Sequence, residues 1–295
     1  MFELSYLRCF VAVAEELHFG RAAERLNITQ PPLSRQIRML ERAVGCELFI
    51  RNSRSVRLTQ AGQTFLPDAL RILRLIESAE TSVRNVATGR AGILRCGFTA
   101  ASAYAFLPVL VRNMKAAIPG ASLILREMVS KRQIAALETG EIDVGLLRPP
   151  FDRGANEAIL VAREEMVVAL PKGHVVGEKP VLDWQDLDGL ELIMYDADEA
   201  QYFNDLIASY LSKHRIFPIV DQRLTQIHSI LSLVRAGVGC AVVPASARQL
   251  GVSQVDYREF GAETPSAELF LVWRKDNGNP LLPALAAIAT SGGVQ

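Results

Sequence analysis

The chain is poor in the residues from which catalytic and metal sites are commonly built. Its 295 residues include four cysteines and four histidines, and the histidines are too scattered in the sequence to form a helical zinc pair. The sequence has no Gly-x-Ser-x-Gly elbow, phosphate-binding loop or dinucleotide-binding glycine cluster. Catalysis is therefore unsupported, and we expect neither a cofactor nor a metal ion.

The cysteines show no paired spacing. Each lies in an apolar run, as buried structural cysteines do; they are Cys9, Cys46, Cys96 and Cys240. We interpret them as structural. A redox-sensing role is the alternative that the sequence leaves open.

Long hydrophobic runs and net charge are also absent. No apolar segment has membrane length, and the N-terminus enters an amphipathic helix without a basic, apolar and cleavable leader. These features predict a cytoplasmic protein and argue against a secreted solute-binding protein. The formal net charge is +0 at pH 7, which argues against indiscriminate coating of nucleic acid.

Residues 21–37 read as two short helices joined by a tight turn. Small residues give the first helix a face that a second helix can approach closely, and Leu33, Ile37 and Leu40 repeat at helical spacing in the second. Thr29 is positioned to cap the second helix, with a proline pair in its first turn. The outward positions carry groups able to bind phosphates or base edges in a major groove. An ordinary helical hairpin is the alternative.

A wing is predicted after the second helix. Beyond the helix breaker Gly45, residues 47–59 read as two short strands around a polar turn. Residues 35–57 contain six arginines against Glu41 and Glu47. Such local positive charge beside two paired helices is typical of a phosphate-binding surface, although a solvated arginine face is the alternative.

A long helix with an apolar seam is predicted from Thr59, its candidate cap, to about residue 89. The apolar residues of the seam recur at alternating spacings of four and three; they are Phe65, Ala69, Ile72, Ile76, Ala79, Val83 and Val86. This pattern predicts that the helix pairs with another helix rather than packing on a globular core, and so joins two chains. Pro67 predicts a local bend.

The C-terminal part of the chain alternates short apolar runs with amphipathic stretches, following a break at residues 88–92 that predicts a hinge. The alternation predicts a parallel sheet with covering helices. Predicted strands cover 93–98, 122–129, 142–147, 166–170, 192–194, 240–243 and 269–273. Predicted helices cover 103–117, 131–140, 200–214, 226–236 and 281–289.

An anion site is expected where strands end and helices begin, because backbone N–H groups and the positive end of the helix dipole face the ligand there. Thr99 and Ser102 follow the first predicted strand, and Ser130 follows the second. Arg148, after the strand 142–147, is the one cationic side chain placed to pair with a carboxylate. A solvated loop arginine or an interdomain salt bridge is the alternative for Arg148.

The combined motifs resemble the LysR-type transcriptional regulators. The resemblance rests on Arg21-Ala22-Ala23, Gln30-Pro31-Pro32-Leu33-Ser34-Arg35-Gln36-Ile37, Leu40-Glu41, Leu48-Phe49, Arg51 and Leu58-Thr59-Gln60-Ala61-Gly62. The Gln-Pro-Pro-Leu-Ser form is most similar to the regulators of aromatic-compound and muconate catabolism. A segment at residues 234–244 also resembles the family.

The resemblance implies an α/β protein in three parts. Residues 1–58 would form a winged helix-turn-helix, 59–89 a dimerising linker helix, and 90–295 a two-lobed α/β effector domain resembling periplasmic binding proteins. Lobe I would cover about 92–162 and 268–295, and lobe II about 163–267. The chain would cross between the lobes near 161–165 and return near 264–269.

The resemblance also implies partners and site residues. Double-stranded promoter or operator DNA would be contacted by Gln30, Pro31, Pro32, Ser34, Arg35 and Arg38, with Arg54 on the wing near the minor groove. A small carboxylate effector would lie between the lobes, contacted by Thr99, Ser102, Ser130, Arg148, Phe203 and Gln226. Homodimers would associate into homotetramers, with RNA polymerase as a further partner.

Several assignments stay open in the sequence. Ala100 and Ala101 stand where relatives often carry another hydroxyl, which leaves the identity of the effector open. For Tyr202 and Phe203, packing in the core is an alternative to lining the cleft, and for His228 a structural hydrogen bond is favoured over ligand contact. The alternative functions are a redox-responsive regulator of the same family, and a solute-binding protein or enzyme with an appended helix-turn-helix.

Overall fold

The chain divides into two compact units in a computed structural model that describes residues 2–51, 56–87 and 92–291. The first unit consists of Met1–Arg90 together with Ala136–Glu141, and the second of Ala91–Ala135 and Ile142–Gln295. The polar turn predicted between the wing strands, residues 52–55, lies outside the described residues. So do residues 88–91 of the predicted hinge.

The first unit is a winged helix-turn-helix followed by a long helix, as predicted. Its elements are α1 (Leu4–Glu16), α2 (Phe19–Arg25), α3 (Gln30–Val44), β1 (Phe49–Arg51), β2 (Val56–Leu58) and α4 (Gln60–Ala87). The strands β1 and β2 pair in antiparallel fashion. Leu33, Ile37 and Leu40 are all fully buried, which confirms that one stripe of α3 packs inward.

The cap predicted for α3 is only partly correct. Thr29 occupies the N-cap position, but its side chain makes no capping hydrogen bond. A capping hydroxyl accepts from the N–H of the second or third helical residue, and Pro31 and Pro32 occupy those two positions without an N–H to offer. At the other end, Gly45 closes α3 with a φ of 79°, as its place in the sequence predicts.

The predicted cap of α4 is confirmed. The Thr59 hydroxyl oxygen accepts the N–H of Gly62 at 3.0 Å and donates to the carbonyl oxygen of Glu47 at 2.8 Å. A Cβ atom at Gly62 would lie 2.2 Å from the carbonyl oxygen of Leu48. Glycine is therefore required where the start of α4 passes over the chain that leads into β1.

The heptad seam of α4 does not serve one purpose along its length. Its first two residues belong to the core of the first unit: Ala69 is fully buried, and the Phe65 ring lies 5.3 Å from the Phe10 ring. The prediction that the seam avoids a globular core is wrong here, because the small winged unit closes its core with the first turns of α4. Farther along, Ile72 and Val83 of the seam are 37% and 70% exposed, and Leu75 beside the seam is 64% exposed, whereas Ile76 is half-buried.

The second unit contains the remaining elements. Its strands are β3 (Ile93–Phe98), β4 (Ser122–Glu127), β5 (Val144–Leu147), β6 (Asn156–Pro171), β7 (Val181–Leu182), β8 (Met194–Tyr195), β9 (Arg223–Leu224), β10 (Ala241–Pro244), β11 (Val255–Phe260) and β12 (Ser266–Arg274). Its helices are α5 (Phe106–Ala117), α6 (Ser130–Glu138), α7 (Gln201–His214), α8 (Ile227–Arg235) and α9 (Leu282–Ser291). The end of α6, from Ala136, is grouped with the first unit. The strand predicted at 166–170 covers five of the 16 residues of β6. The sequence pattern does not predict β7, β9 or β11.

The main sheet is mixed rather than parallel, which corrects the sequence expectation. Its order is β4-β3-β5-β12-β6-β11-β7, and β10 also pairs with β6. The strands β3, β4 and β5 are mutually parallel, whereas β6 is antiparallel to β10, β11 and β12. The long strands β6 and β12 pair along their length and carry the chain out and back, so they run in opposite directions.

Two hydrophobic cores give the second unit its two-lobed α/β architecture, which confirms the predicted fold class. We call lobe I the part around the core that includes Leu94, Leu110, Leu146, Val161, Leu269 and Leu285. Lobe II surrounds the core that includes Met166, Ile207, Leu231, Val242 and Ala267. On β6 the change of core falls between Val161 and Met166, and on β12 between Ala267 and Leu269.

Candidate functional site

One face of α3 presents polar groups to solvent. Ser34 is half-buried, and the exposed positions on this face are Gln30, Pro31, Pro32, Arg35 and Arg38. Helical periodicity puts Pro31, Arg35 and Arg38 on the side away from the buried stripe, whereas Gln30 is exposed as the first residue of the helix. Within the described ranges, no ion pair engages Arg35 or Arg38, so both charges are available to a phosphate or a base edge.

The wing is tied to α3 by a carboxylate. Glu41 Oε1 accepts the N–H groups of Leu48 at 3.0 Å and Phe49 at 3.3 Å, where β1 begins. The sequence shows Glu41 only as a negative charge in a basic segment, whereas the structure gives it this positioning role. Arg54, predicted to lie near the minor groove, is outside the described residues.

A cavity of about 500 Å³ lies within the second unit, between lobe I and lobe II. Its lobe I wall is formed by the residues that follow β3, β4 and β5, and its lobe II wall by the starts of α7 and α8. Five of the six predicted effector residues line it: Thr99, Ser130, Arg148, Phe203 and Gln226. His228 is not among the lining residues.

Ser102, the sixth, does not line this cavity. Its side chain is buried, and its hydroxyl donates to the carbonyl oxygen of Thr99 at 2.7 Å. In its short 3-10 turn, Ala100–Ala103, the hydroxyl is directed back to the main chain, and contact between Ser102 and an effector stays a prediction. The buried Thr99 hydroxyl has no hydrogen-bond partner within the described part of the chain.

Arg148 is buried and already has an anionic partner. The residue is 3% exposed, and its Nη2 lies 3.0 Å from Glu164 Oε1 while Nη1 donates to the carbonyl oxygen of Glu268 at 2.9 Å. The Phe203 ring covers one face of the guanidinium, with Cζ 4.7 Å from the ring centroid. The structure has the internal salt bridge that the sequence left as an alternative for Arg148. Its contact with the carboxylate of an effector stays a prediction.

The ion pair of Arg148 reaches from lobe I into lobe II. Glu164 lies on β6 between the two cores, and its second oxygen accepts the N–H of Ser246 at 3.1 Å. The backbone N–H of Arg148 also donates to the Ser130 hydroxyl at 3.1 Å. The wall of the cavity is thereby held by a chain of polar contacts rather than by apolar packing alone.

Aromatic rings form part of the lobe II wall. Phe203 both lines the cavity and stacks on Tyr195, with ring centroids 4.8 Å apart. Tyr202 also lines the cavity, and its hydroxyl accepts the N–H of Glu268 at 2.7 Å. Tyr202 and Phe203 therefore both pack against neighbouring groups and line the cavity.

The mouth of the cavity carries an ion pair that the sequence reading missed. Lys131 Nζ lies 2.8 Å from Asp198 Oδ1, and both residues line the cavity. The loop that carries Asp198 is shaped by Asp196, whose carboxylate accepts the N–H groups of Asp198 and Glu199. These hydrogen bonds lower the pKa of Asp196. The only sequence signal for Lys131 is its place beside Ser130 at a helix start.

The cysteines are free, and three of them are buried. Burial raises the pKa of the Cys9 thiol to about 11 and the pKa values of Cys96 and Cys240 to about 12. These thiols are protonated at neutral pH, and the thiolate is the reactive form. Cys46 is exposed. The burial favours the structural interpretation of these three cysteines over a redox-sensing one.

No cluster of metal-binding side chains occurs within the described residues. No helix in the described ranges has the length and apolar character needed to cross a bilayer.

The folds of the two units, each taken by itself, define a class of protein: a winged helix-turn-helix regulator with a two-lobed ligand-binding domain. Residues 4–63 match the bacterial regulatory helix-turn-helix protein model of the lysR family, and residues 87–292 match the LysR substrate binding domain. The chain belongs to the LysR family of DNA-binding transcriptional regulators, which confirms the resemblance seen in the sequence.

Similarity to individual members extends over nearly the whole chain. The regulator IlvR of Caulobacter vibrioides is 37% identical over 294 residues, covering 99% of this chain and 98% of IlvR. AlsR of Bacillus subtilis is 39% identical over 282 residues, covering 95% and 93%. The structure of full-length CbnR complexed with its target DNA superposes with a TM-score of 0.77 at 27% identity, covering 99% of this chain and 100% of CbnR.

The burial of the cysteines predicts how the native protein reacts with a thiol reagent. With 5,5′-dithiobis(2-nitrobenzoate), we expect fast modification of Cys46 alone, and modification of Cys9, Cys96 and Cys240 only after unfolding in guanidinium chloride. Cys46→Ser should abolish the fast phase. A second fast-reacting thiol in the native protein, or an intrachain disulfide formed with hydrogen peroxide, would contradict the structural interpretation.

Proposed function

We propose that this regulator binds promoter DNA through α3 and the wing, and that a small organic acid in the cavity between lobe I and lobe II controls it. The observation that carries the proposal is the cavity itself, which unites five predicted effector residues from both lobes. We propose no catalytic step for the chain. Its site of action would be chromosomal DNA in the cytoplasm, with RNA polymerase as the further partner for activation.

The DNA interface is supported by exposure and charge on α3. Arg35 and Arg38 lie on its exposed face, and the segment 35–57 has an excess of positive charge in a chain that is neutral overall. Local charge of this kind attracts phosphates without making the whole protein basic. The likeness to CbnR, whose structure is a complex with its target DNA, supports the same surface.

Removal of the Arg35 charge should weaken DNA binding without unfolding the protein. We expect Arg35→Ala to cost about 1–3 kcal/mol if the side chain contacts a base, or to reduce the salt dependence by about one unit of slope if it contacts a phosphate. Fluorescence anisotropy over a salt titration, with DNA selected by the parent protein from a random pool, measures both. Arg112→Ala, an exposed arginine on α5, is the matched control. Parental binding by Arg35→Ala would place the interface elsewhere.

Assembly is supported by the open apolar face of α4. Ile72, Leu75 and Val83 are exposed to 37%, 64% and 70%, and a second α4 helix would cover such a row. We propose a homodimer through α4, with further association into tetramers. The spacing of the α3 helices on DNA would then depend on how two copies of α4 pair.

Charge in the open face should disrupt the dimer. Leu75→Glu and Ile72→Glu would each place an unpaired carboxylate in the contact that the proposed dimer buries. Sedimentation velocity should therefore show a shift toward monomer or aggregation. Val175→Glu, at a position 72% exposed in the second unit, should leave the mass distribution unchanged. An unaltered distribution for both α4 variants would mean that this face does not join the chains.

Effector binding is supported by two residues on the lobe I wall of the cavity, Thr99 and Ser130. The Thr99 hydroxyl is buried and has no hydrogen-bond partner among the described residues, and a buried polar group gains most from a ligand atom that satisfies it. Ser130 opens α6, where free N–H groups favour an anion. An acid that binds one arrangement of the lobes more tightly would shift the population of assembly shapes, and with it the bend imposed on the promoter.

Thr99 and Ser102 provide a matched pair for testing whether the Thr99 hydroxyl contacts the acid. We expect Thr99→Val to weaken acid binding by about 1 kcal/mol, because the hydroxyl is lost while the shape is kept. Ser102→Ala should have little effect, since that hydroxyl is bound to the main chain outside the cavity. Isothermal titration with benzoate, salicylate and adipate measures this. Equal affinities in the parent and Thr99→Val would remove Thr99 from the site.

A further inference from the structure

The cavity has two cations in its lining, and only one of them has an exchangeable partner. Among the described lining residues, Arg148 and Lys131 are the basic ones. Arg148 spends two of its nitrogens on Glu164 and the Glu268 carbonyl, and it is almost completely buried. Arg148 Nε has no hydrogen-bond partner within the described residues. The guanidinium is nevertheless almost enclosed, so a carboxylate that pairs with it must enter beside Glu164 and compete with that carboxylate for the same charge.

Lys131 is more accessible to a ligand carboxylate than Arg148 is. Its only ion-pair partner in the described residues is Asp198, and the two side chains are 72% and 78% exposed. Exposed ion pairs contribute little to stability and exchange readily with other anions. The hydrogen bond to Asp198 raises the pKa of Lys131, so the ammonium is charged at neutral pH.

The position of this pair connects ligand charge to the two lobes. Lys131 follows β4 of lobe I and lies in the first turn of α6, whereas Asp198 lies in the lobe II loop between β8 and α7. The pair therefore joins the lobes at the mouth of the cavity. An anion that takes Lys131 also releases Asp198 from its contact with lobe I.

We propose that the Lys131 ammonium recognises the carboxylate of the effector, and that this carboxylate binds by replacing Asp198 as the partner of the ammonium. The inference rests on the proposed function of the cavity and changes its cationic residue from Arg148 to Lys131. Asp198 acts as an internal competitor for the same ammonium. Binding of an acid breaks the Lys131–Asp198 contact, whereas a neutral ligand of the same shape leaves it in place.

Competition predicts opposite effects from the two members of the pair. Lys131→Met should weaken binding of an acid by about three- to tenfold, because a charge-assisted contact is lost. Asp198→Asn should strengthen binding of the same acid by up to about fivefold, because the ammonium no longer has a competing anion. Lys131→Arg should keep most of the affinity. Lys115→Met, an exposed lysine on α5, should have no effect.

The probes are acids with their neutral amides: benzoate with benzamide, and adipate with adipamide, measured by isothermal titration on the full chain. The amides should be insensitive to both Lys131→Met and Asp198→Asn. If both variants weaken acid and amide alike, the pair only closes the cavity and the proposal is wrong. If neither variant changes acid affinity while Thr99→Val does, Lys131 is not the carboxylate partner and the effector cavity stands. If no acid binds the parent, the effector proposal and this one fall together.

Discussion

The buried ion pair of Arg148 and Glu164 is the interaction on which the cavity depends. A guanidinium with 3% exposure is costly unless its charge is matched. Here Glu164 and the Glu268 carbonyl accept from the two terminal nitrogens and the Phe203 ring covers one face, while Nε has no partner within the described residues. Glu164 also binds the Ser246 N–H. Because the pair joins residues of both lobes beside the paired strands β6 and β12, the walls of the cavity cannot separate without exposing a buried charge.

In the first unit a few hydrogen bonds hold the wing and α4 against α3. Glu41 holds the start of β1, and Thr59 both caps α4 and binds the Glu47 carbonyl. Gly62 lets α4 pass close to the Leu48 carbonyl. These contacts tie the wing and α4 to α3, the helix proposed to contact DNA. A change in how two α4 helices pair would therefore be transmitted to the position of α3 without bending the winged unit.

Much of the fold follows from local patterns that the sequence shows directly. The buried stripe of α3, the stop at Gly45, the Thr59 cap and the strands of lobe I each depend on residues a few positions apart. The failures have local explanations too. Thr29 has no N–H to accept because two prolines follow it, and Phe65 and Ala69 serve the winged core because their helix begins against it. The antiparallel pairing of β6 and β12 joins segments about a hundred residues apart, which periodicity does not report.

The candidate site also has features that the sequence shows and features that depend on long-range contacts. The sequence by itself determined the class of protein, the exposed face of α3 and five of the residues that line the cavity, because strand ends and helix starts bring their side chains to one edge of a sheet. Only the tertiary structure decided which charges are already paired: Arg148 with Glu164, and Lys131 with Asp198. The partners of a charge depend on which distant segments meet and how deeply they are buried, and neither quantity is encoded in the spacing of residues along the chain.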